Sequence, residues 1–319
     1  MKLAVVYDPL DLNLRPDAHA YLYRGQLESI LNRWQNTIII TEDCHADDID
    51  ADAILFFDIR SRHHINIENI KNHSAVKIEY FDDPQQKEKH GYSKKFKWRY
   101  HKLGIKQRVN RALNRGVEFI ICSTKAGFYK YIAPELGEKA EKMFIHIPAT
   151  PAFKSCDIPL NERKISILGN GVTWDVDGLG CYDFRIWAHK QDEVTVVKHT
   201  LRDKTTPNGK HYDKLLKQYA GAIALNDYFP CAKYFEIPLA GCVTFAQYHE
   251  EYKELGFEDY KTCIYVDRNN FNERARAFLD NPEVFQPIAD AGRKLVEENY
   301  TSKHFADIFY NAIKERING

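Results

Sequence analysis

The chain reads as an α/β protein made of two Rossmann-like halves, each on a parallel sheet. Three observations predict this. Short apolar runs recur through the 319 residues and alternate with stretches of helical spacing, the pattern of parallel strands joined by crossover helices. A segment with three prolines and little periodicity, Pro148–Asn161, separates two such series. Several apolar runs end in polar or glycine-bearing turns, as at Asp82-Asp83-Pro84, Gly169-Asn170-Gly171 and Asn226-Asp227. Open α/β sheets hold their ligands at such strand ends.

In the first series, Lys2–Tyr7 is a strand leading into the polar turn Asp8 to Pro16, and Ala18–Trp34 has helical spacing. Thr37–Ile40 and Ala53–Phe57 are strands, Ile65–Asn72 a short helix, and Ala75–Phe81 a strand. A basic segment follows whose second half, Lys102–Arg115, has helical spacing. Then come a strand Glu118–Cys122, a helix Thr124–Ala133 with Thr124 as N-cap, and a strand Met143–Ile147. In the second series, the strand Lys164–Leu168 runs into Gly169-Asn170-Gly171. Asp183–Lys190 is a helix, Glu193–Lys198 a strand and Tyr212–Tyr219 a helix. The strand Ala222–Leu225, an amphipathic helix through Phe235 and Glu236 that stops at Gly241, and a further strand come next. After the strand Cys263–Val266, three helices close the chain: Phe271–Leu279, Pro282–Asn299 and Ser302–Ile317. The expected domains are 1–150 and 151–300, with 301–319 as a terminal helix. Two halves of similar size bury a cleft, a frequent ligand site.

Composition excludes several classes. Hydrophobic residues make up 44% and charged residues 28%, ordinary for a globular protein with a real core. The seven cysteines are an odd number with no Cys-x-x-Cys pair, against a disulfide framework or a zinc site. Met1 to Tyr7 is too short for a signal segment, and no run approaches membrane-spanning length. A cytoplasmic location is expected. Net charge is zero, yet Lys87–Arg115 carries eleven Lys/Arg and one acid, so it is +10 and the remainder −10. Tyr92, Phe96, Trp98 and Tyr100 interleave with these charges. A solvated loop and helix accounts for such a segment, and so do three anionic partners: a lipid surface, nucleic acid, or an acidic glycan or lipid-diphosphate acceptor. The lipid surface is the leading functional reading.

A glycine pair after a strand lets backbone N–H groups approach a phosphate, although position 174 is Trp and the Gly-x-Gly-x-x-Gly pattern is not met. A tight turn explains the pair equally well. Glu236 is a lone acid among apolar neighbours. A carboxylate there can accept both ribose hydroxyls of a nucleotide, while position alone favours a solvated helical glutamate. Asp175-Val176-Asp177 is a short acid pair of a kind common by chance, and no metal is expected there.

From Ile165 to Ala312 the chain resembles the GT-B glycosyltransferases of the group 1 and CgeB-like branch. The resemblance rests on Ile165–Gly171, Tyr182-Asp183-Phe184-Arg185, Tyr212–Leu216, Ala222–Asn226, Lys233–Gly241 and Ile288–Arg293, in that order. It implies a metal-independent hexosyltransferase that needs no cofactor and takes a nucleotide-diphosphate sugar, UDP- or GDP-linked, as donor. It places the donor ribose on Glu236 and the diphosphate at Gly169, Gly171 and the loop Asn226 to Pro230, which includes Tyr228 and Phe229. Arg185 and Lys198 are its candidate diphosphate cations. Related enzymes carry a second acid eight residues before Glu236; this chain has Tyr228 there, which leaves the donor sugar open. The resemblance also implies an acceptor held by the N-terminal half, polysaccharide biosynthesis as the setting, and a last helix that returns to that half. Asp83 or Asp82 would take the acceptor proton in an inverting enzyme, with His63 and His64 weaker candidates and an Asx turn before Pro84 the plain alternative. Two rivals remain: a phage-type DNA glucosyltransferase, and a nucleotide-sugar-binding protein without turnover.

Overall fold

The computed structural model describes residues 1–7, 18–34, 36–57, 65–81, 105–151, 153–171, 173, 182–198 and 210–318. The chain divides into two compact units, one from Met1–Pro16, Tyr23–Pro148 and Lys303–Gly319, the other from Asp17–Leu22 and Ala149–Ser302.

The first unit is built on β1 (Leu3–Val6), β2 (Thr37–Ile40), β4 (Ala53–Phe56), β6 (Val76–Phe81), β7 (Phe119–Cys122) and β8 (Phe144–His146). All neighbours pair in parallel, in the order β2-β1-β4-β6-β7-β8. A parallel sheet covered on both faces requires strands apolar on both sides. β1 meets that requirement: Ala4 and Val6 join one core and Leu3 and Val5 the other. The second core is completed by the last helix, Ser302–Asn318, through Phe305, Ala306, Phe309 and Ile313. Phe309 packs on Trp34 at 5.0 Å between ring centroids.

The expected helix over Ile65–Asn72 is absent. Ile67–Glu68 is instead β5, paired in parallel with β3 (Cys44–His45), and only Ile70–Asn72 is helical, as one 3-10 turn. Asn69 at φ 59° breaks the helical backbone, and the Asn66 N–H goes to the Asp43 side chain at 2.7 Å. Thr124 does cap the helix that follows β7, its hydroxyl accepting from the Gly127 N–H at 3.3 Å.

The second unit carries β9 (Lys164–Gly171), β10 (Val194–Lys198), β11 (Tyr219–Ala224), β12 (Val243–Gln247) and β13 (Ile264–Val266). They form a parallel sheet in the order β10-β9-β11-β12-β13. The chain leaves β9 toward β10 and then returns to its other side as β11. That reversal makes a topological switch point at the carboxyl ends of β9 and β11, the ligand crevice of open α/β sheets. β11 is buried along its whole length. Its Gly221 leaves room for Phe278 and Phe245, whose rings would lie 3.0 and 3.2 Å from a side-chain carbon at that position. Among the described residues no helix is long and apolar enough to cross a membrane.

Candidate nucleotide site at the switch point of the second sheet

β9 does not stop at Leu168. It continues through Gly169 and Gly171, which pair in register with Val196 and Lys198 of β10. The two glycines are therefore strand residues, and the glycine loop expected there is a continuation of β9. A Cβ at Gly169 would come within 2.6 Å of Val194 Cγ1 and 3.1 Å of the His189 ring. At Gly171, where φ is +125°, it would come within 3.0 Å of Arg185 Nη1 and 3.2 Å of Lys233 Cε. The glycines thus let three basic side chains lie against the end of the strand, and φ at Gly171 suits glycine alone.

Arg185 stands on the helix Asp183–Ala188 and is buried. Its Nη2 donates to the Leu225 carbonyl at 2.5 Å, just past the end of β11, so it spans the two strand ends. Its guanidinium lies over the Tyr182 ring, 4.5 Å from the centroid.

The loop after β11 is held from several sides. Asn226 is buried, and its Oδ1 accepts from the N–H groups of Tyr228 at 3.0 Å and Phe229 at 3.4 Å, an Asx-type turn. Those two amides are engaged by Asn226, which leaves fewer N–H groups for a diphosphate than the loop's sequence suggests. Asp227 accepts from the Asp183 N–H at 2.8 Å and from Gln247 Nε2 at 3.2 Å. The His249 ring meets the Asn226 carbonyl through Nε2 at 2.8 Å.

The helix Lys233–Leu239 is not amphipathic. Every residue from Tyr234 to Leu239 is buried, Glu236 included. It ends at Gly241, whose φ of +74° and 2.4 Å clearance from the Cys156 carbonyl admit no Cβ. Glu236 is thus no solvated glutamate: it is 7% exposed, and burial pushes its carboxyl up to about 7, with Lys233 pulling the other way. Lys233 lies one turn earlier on the same face. Its Nζ donates to the Tyr212 hydroxyl at 2.7 Å and stands 4.0 Å from that ring's centroid. Burial brings the ammonium down to about 8, Glu236 opposing and Arg185 adding to the fall. Burial, then Arg185 and Lys233, take His189 down to about 4, so its imidazole is neutral near pH 7.

Gly171 and Arg185 therefore lie together at the end of β9, and Arg185 also reaches the Leu225 carbonyl after β11. Gly169 lies against His189, Asn226 follows Leu225 in the loop with Tyr228 and Phe229, and Glu236 comes in through Lys233. Lys233, His189, Tyr212 and His249 lie beside them, and nothing in the sequence marks any of the four as a site residue. The spacings were in view, Arg185 to His189 four residues apart and Lys233 to Glu236 three; what was missing was the register that brings Gly171 between them. Lys198 ends β10 opposite Gly171, and its side chain lies outside the described residues, as do Asp82, Asp83, His63, His64, Asp175 and Asp177. Among the described residues no three His, Cys, Asp or Glu side chains are grouped to hold a metal.

The basic segment divides. Residues 87–104 lie outside the described part. In 105–115 the helix Ile105–Asn114 turns its arginines inward. Arg111 and Arg115 bond the two oxygens of the fully buried Glu79 at 2.9 and 3.2 Å. Arg115 and Arg108 lie over the rings of Phe56 and Phe81, each 4.3 Å from the centroid. These three charges serve the fold of the first unit.

Residues 159–311 match the family model described as Glycosyl transferase-like. No curated protein matches the sequence. Among solved structures, sucrose-phosphate synthase from Thermosynechococcus elongatus aligns with a TM-score of 0.58 at 11% identity, over 100% of this chain and 99% of its own. HepE from Anabaena, in complex with UDP-glucose, aligns with a TM-score of 0.54 at 9% identity, over 99% of this chain and 100% of its own. The DNA-modifying enzyme β-glucosyltransferase, studied with and without uridine diphosphoglucose, aligns with a TM-score of 0.54 at 13% identity, over 98% of this chain and 100% of its own.

Proposed function

We propose that this chain, which has the GT-B glycosyltransferase fold and whose residues 159–311 form a glycosyl transferase-like domain, moves a sugar from a nucleotide-diphosphate donor to an acceptor. The observation that carries the reading is Glu236, a side chain buried to 7% exposure, on the helix that follows β11 and one turn from Lys233, with Arg185 at the ends of β9 and β11. A buried acid with no ion pair to an arginine is costly to keep. It repays that cost when ribose hydroxyls donate to it. HepE and the DNA β-glucosyltransferase were each studied with UDP-glucose, which favours a uridine diphosphate donor.

Glycosyl transfer passes through an oxocarbenium-like state as the bond to the diphosphate breaks. In this reading Arg185 carries charge that develops on that leaving group, supported by its burial at the ends of β9 and β11. The positive charge comes from side chains in this reading, and no metal ion is invoked. The acceptor is assigned to the first unit, with Asp83 or Asp82, directly after β6, as the group that takes its proton. A glycan or lipid-linked acceptor fits the polysaccharide setting. Membrane association is carried by the sequence of 87–104, because Arg108, Arg111 and Arg115 are turned to Glu79 and neighbouring rings.

A thermal-shift screen against UDP, GDP, CDP and TDP tests the donor site. A ligand at about 100 times its dissociation constant adds about 2.7 kcal/mol. Stabilisation by one of them, followed by hydrolysis or transfer from the matching sugar donor, is the expected result. A protein that no nucleotide stabilises would overturn the reading, and one that binds donors without turnover would reduce it to a binding protein.

A further inference from the structure

Two cations share one glycine in the second unit. A side-chain carbon at Gly171 would lie 3.0 Å from Arg185 Nη1 and 3.2 Å from Lys233 Cε. Such a pairing of like charges is unfavourable without an anion between them. Lys233 reaches Tyr212 at 2.7 Å, and no carboxylate lies within ion-pair distance of it among the described residues.

The groups facing Lys233 come from every element around it. Glu236 stands on its own helix, Arg185 on the helix Asp183–Ala188 with His189 just after it, Tyr212 on the helix Lys210–Leu216, and Cys231 in the preceding loop. Glu236 is the sole carboxylate of this set. In the ligand-free protein its charge is outweighed by burial and Arg185, so Lys233 loses its proton at about 8, far below the ordinary lysine value. A nucleoside diphosphate brings at least two negative charges to the same place and reverses that balance.

We propose that Lys233 is a second phosphate-binding cation beside Arg185, and that nucleotide binding drives it to take up a proton from solvent. The inference rests on the donor-site reading above and adds a direction to it. Affinity for the diphosphate falls as pH rises, because the ammonium must be restored before it can bind. Arginine at the same position stays charged throughout the range.

The test is calorimetric titration of the full chain with UDP at about pH 8, in two buffers of different ionisation enthalpy, repeated up to about pH 9. The terminal phosphate of UDP, with a second pKa of about 6, is already ionised there. The expected uptake is about half a proton at pH 8, and the dissociation constant rises toward tenfold per pH unit above it. Lys233→Arg should bind UDP with no uptake from position 233 and a flat pH profile. Lys233→Met should weaken binding about tenfold to a hundredfold and abolish the uptake. Circular dichroism and melting of each variant confirm its fold, and Lys233→Arg alone decides the matter where Lys233→Met does not fold. UDP binding without buffer dependence would overturn the inference and leave the donor site standing. Uptake that persists in Lys233→Arg would move the proton to another group, His189 first, and overturn it also. Absence of binding by any of the four nucleoside diphosphates would overturn the donor site itself.

Discussion

Glu236→Gln is the sharpest perturbation of the proposed site, because it removes a charge and keeps the shape. The carboxylate is 7% exposed and is proposed to accept from two ribose hydroxyls. A hydrogen bond to a charged group contributes about 1.5–3 kcal/mol. An amide retains one acceptor and turns a donor toward the second hydroxyl, so the net loss is about one such bond. That corresponds to about a tenfold to 150-fold rise in the dissociation constant. The pH profile separates this cause from a packing defect. The folded carboxyl sits at about 7, raised by burial from 4.5. As pH falls through about 7 the carboxylate is protonated and the wild-type protein loses UDP affinity; as pH rises through it, affinity is regained. Lys233 falls away above about 8, so the pair gives a bell with its top between the two values. Glu236→Gln should lose the acid limb and keep an alkaline one, moved to lower pH because the Glu236 charge no longer supports the Lys233 ammonium. The assay is a UDP titration from about pH 6 to about pH 9 on both proteins, with melting curves to confirm the fold. A variant that binds UDP as tightly as wild type, or one that retains the acid limb, would refute the ribose assignment.

Three further outcomes follow from the packing. Gly171→Ala forces a Cβ at φ +125° into Arg185 and Lys233; it should cost about 1–3 kcal/mol of stability and weaken UDP binding in the same preparation, measured by melting and titration together. Glu79→Gln strips the counter-charge from Arg111 and Arg115, whose side chains are 15% and 12% exposed. It should cost about 3–5 kcal/mol in urea unfolding, while UDP affinity of the folded fraction stays unchanged. Phe309→Ala removes the ring that packs on Trp34 at 5.0 Å; a loss of about 3–5 kcal/mol, with a shift in tryptophan fluorescence, would show that the last helix is part of the first unit's core.

The sheets were legible because a parallel strand buried on both faces must be apolar at every position. Leu3–Val6 and Ala53–Phe56 obey this; of β11 the apolar run Ala222–Leu225 marks only the second half, and Tyr219 is its first strand residue where the end of a helix was expected. Where burial is one-sided and short, the signal fails. Ile65, Ile67 and Ile70 are spaced by two and then three, which suits a strand, a helix turn or both, and only the left-handed Asn69 and the pairing with Cys44–His45 decide between them. Charge misleads for a different reason. A tally of lysines and arginines in 87–115 treats every one as solvent-facing, whereas Arg108, Arg111 and Arg115 point at Glu79 and aromatic rings. The clue was a single acid, Glu79, inside the apolar strand Val76–Phe81; an unpaired carboxylate cannot remain ionised there, so partners had to exist somewhere in the chain.

The site shows the same logic on the other side of the balance. Glu236 and Lys233 are readable as a turn-spaced pair, and Gly171 as a glycine, yet nothing in the order of residues says that the glycine lies between Lys233 and Arg185. That juxtaposition arises from the register of β9 on β10 and β11, a long-range property set by the sheet. It also explains why the two glycines matter although they form no loop. Their missing Cβ atoms make room for basic side chains at the edge of a strand, and the positive charge gathered there finds in Glu236 only part of its compensation. In the proposed complex a diphosphate would supply the rest, and a ribose hydroxyl pair what the carboxylate lacks. One ligand would then satisfy both the excess cation and the buried acid. A free phosphate would answer the cations and leave Glu236 unserved, so below about pH 7, where Lys233 keeps its proton, inorganic pyrophosphate should bind Glu236→Gln at least as well as wild type, whereas UDP should bind the variant more weakly. Equal discrimination by both ligands would mean that Glu236 acts on the phosphates through Lys233 rather than on the ribose.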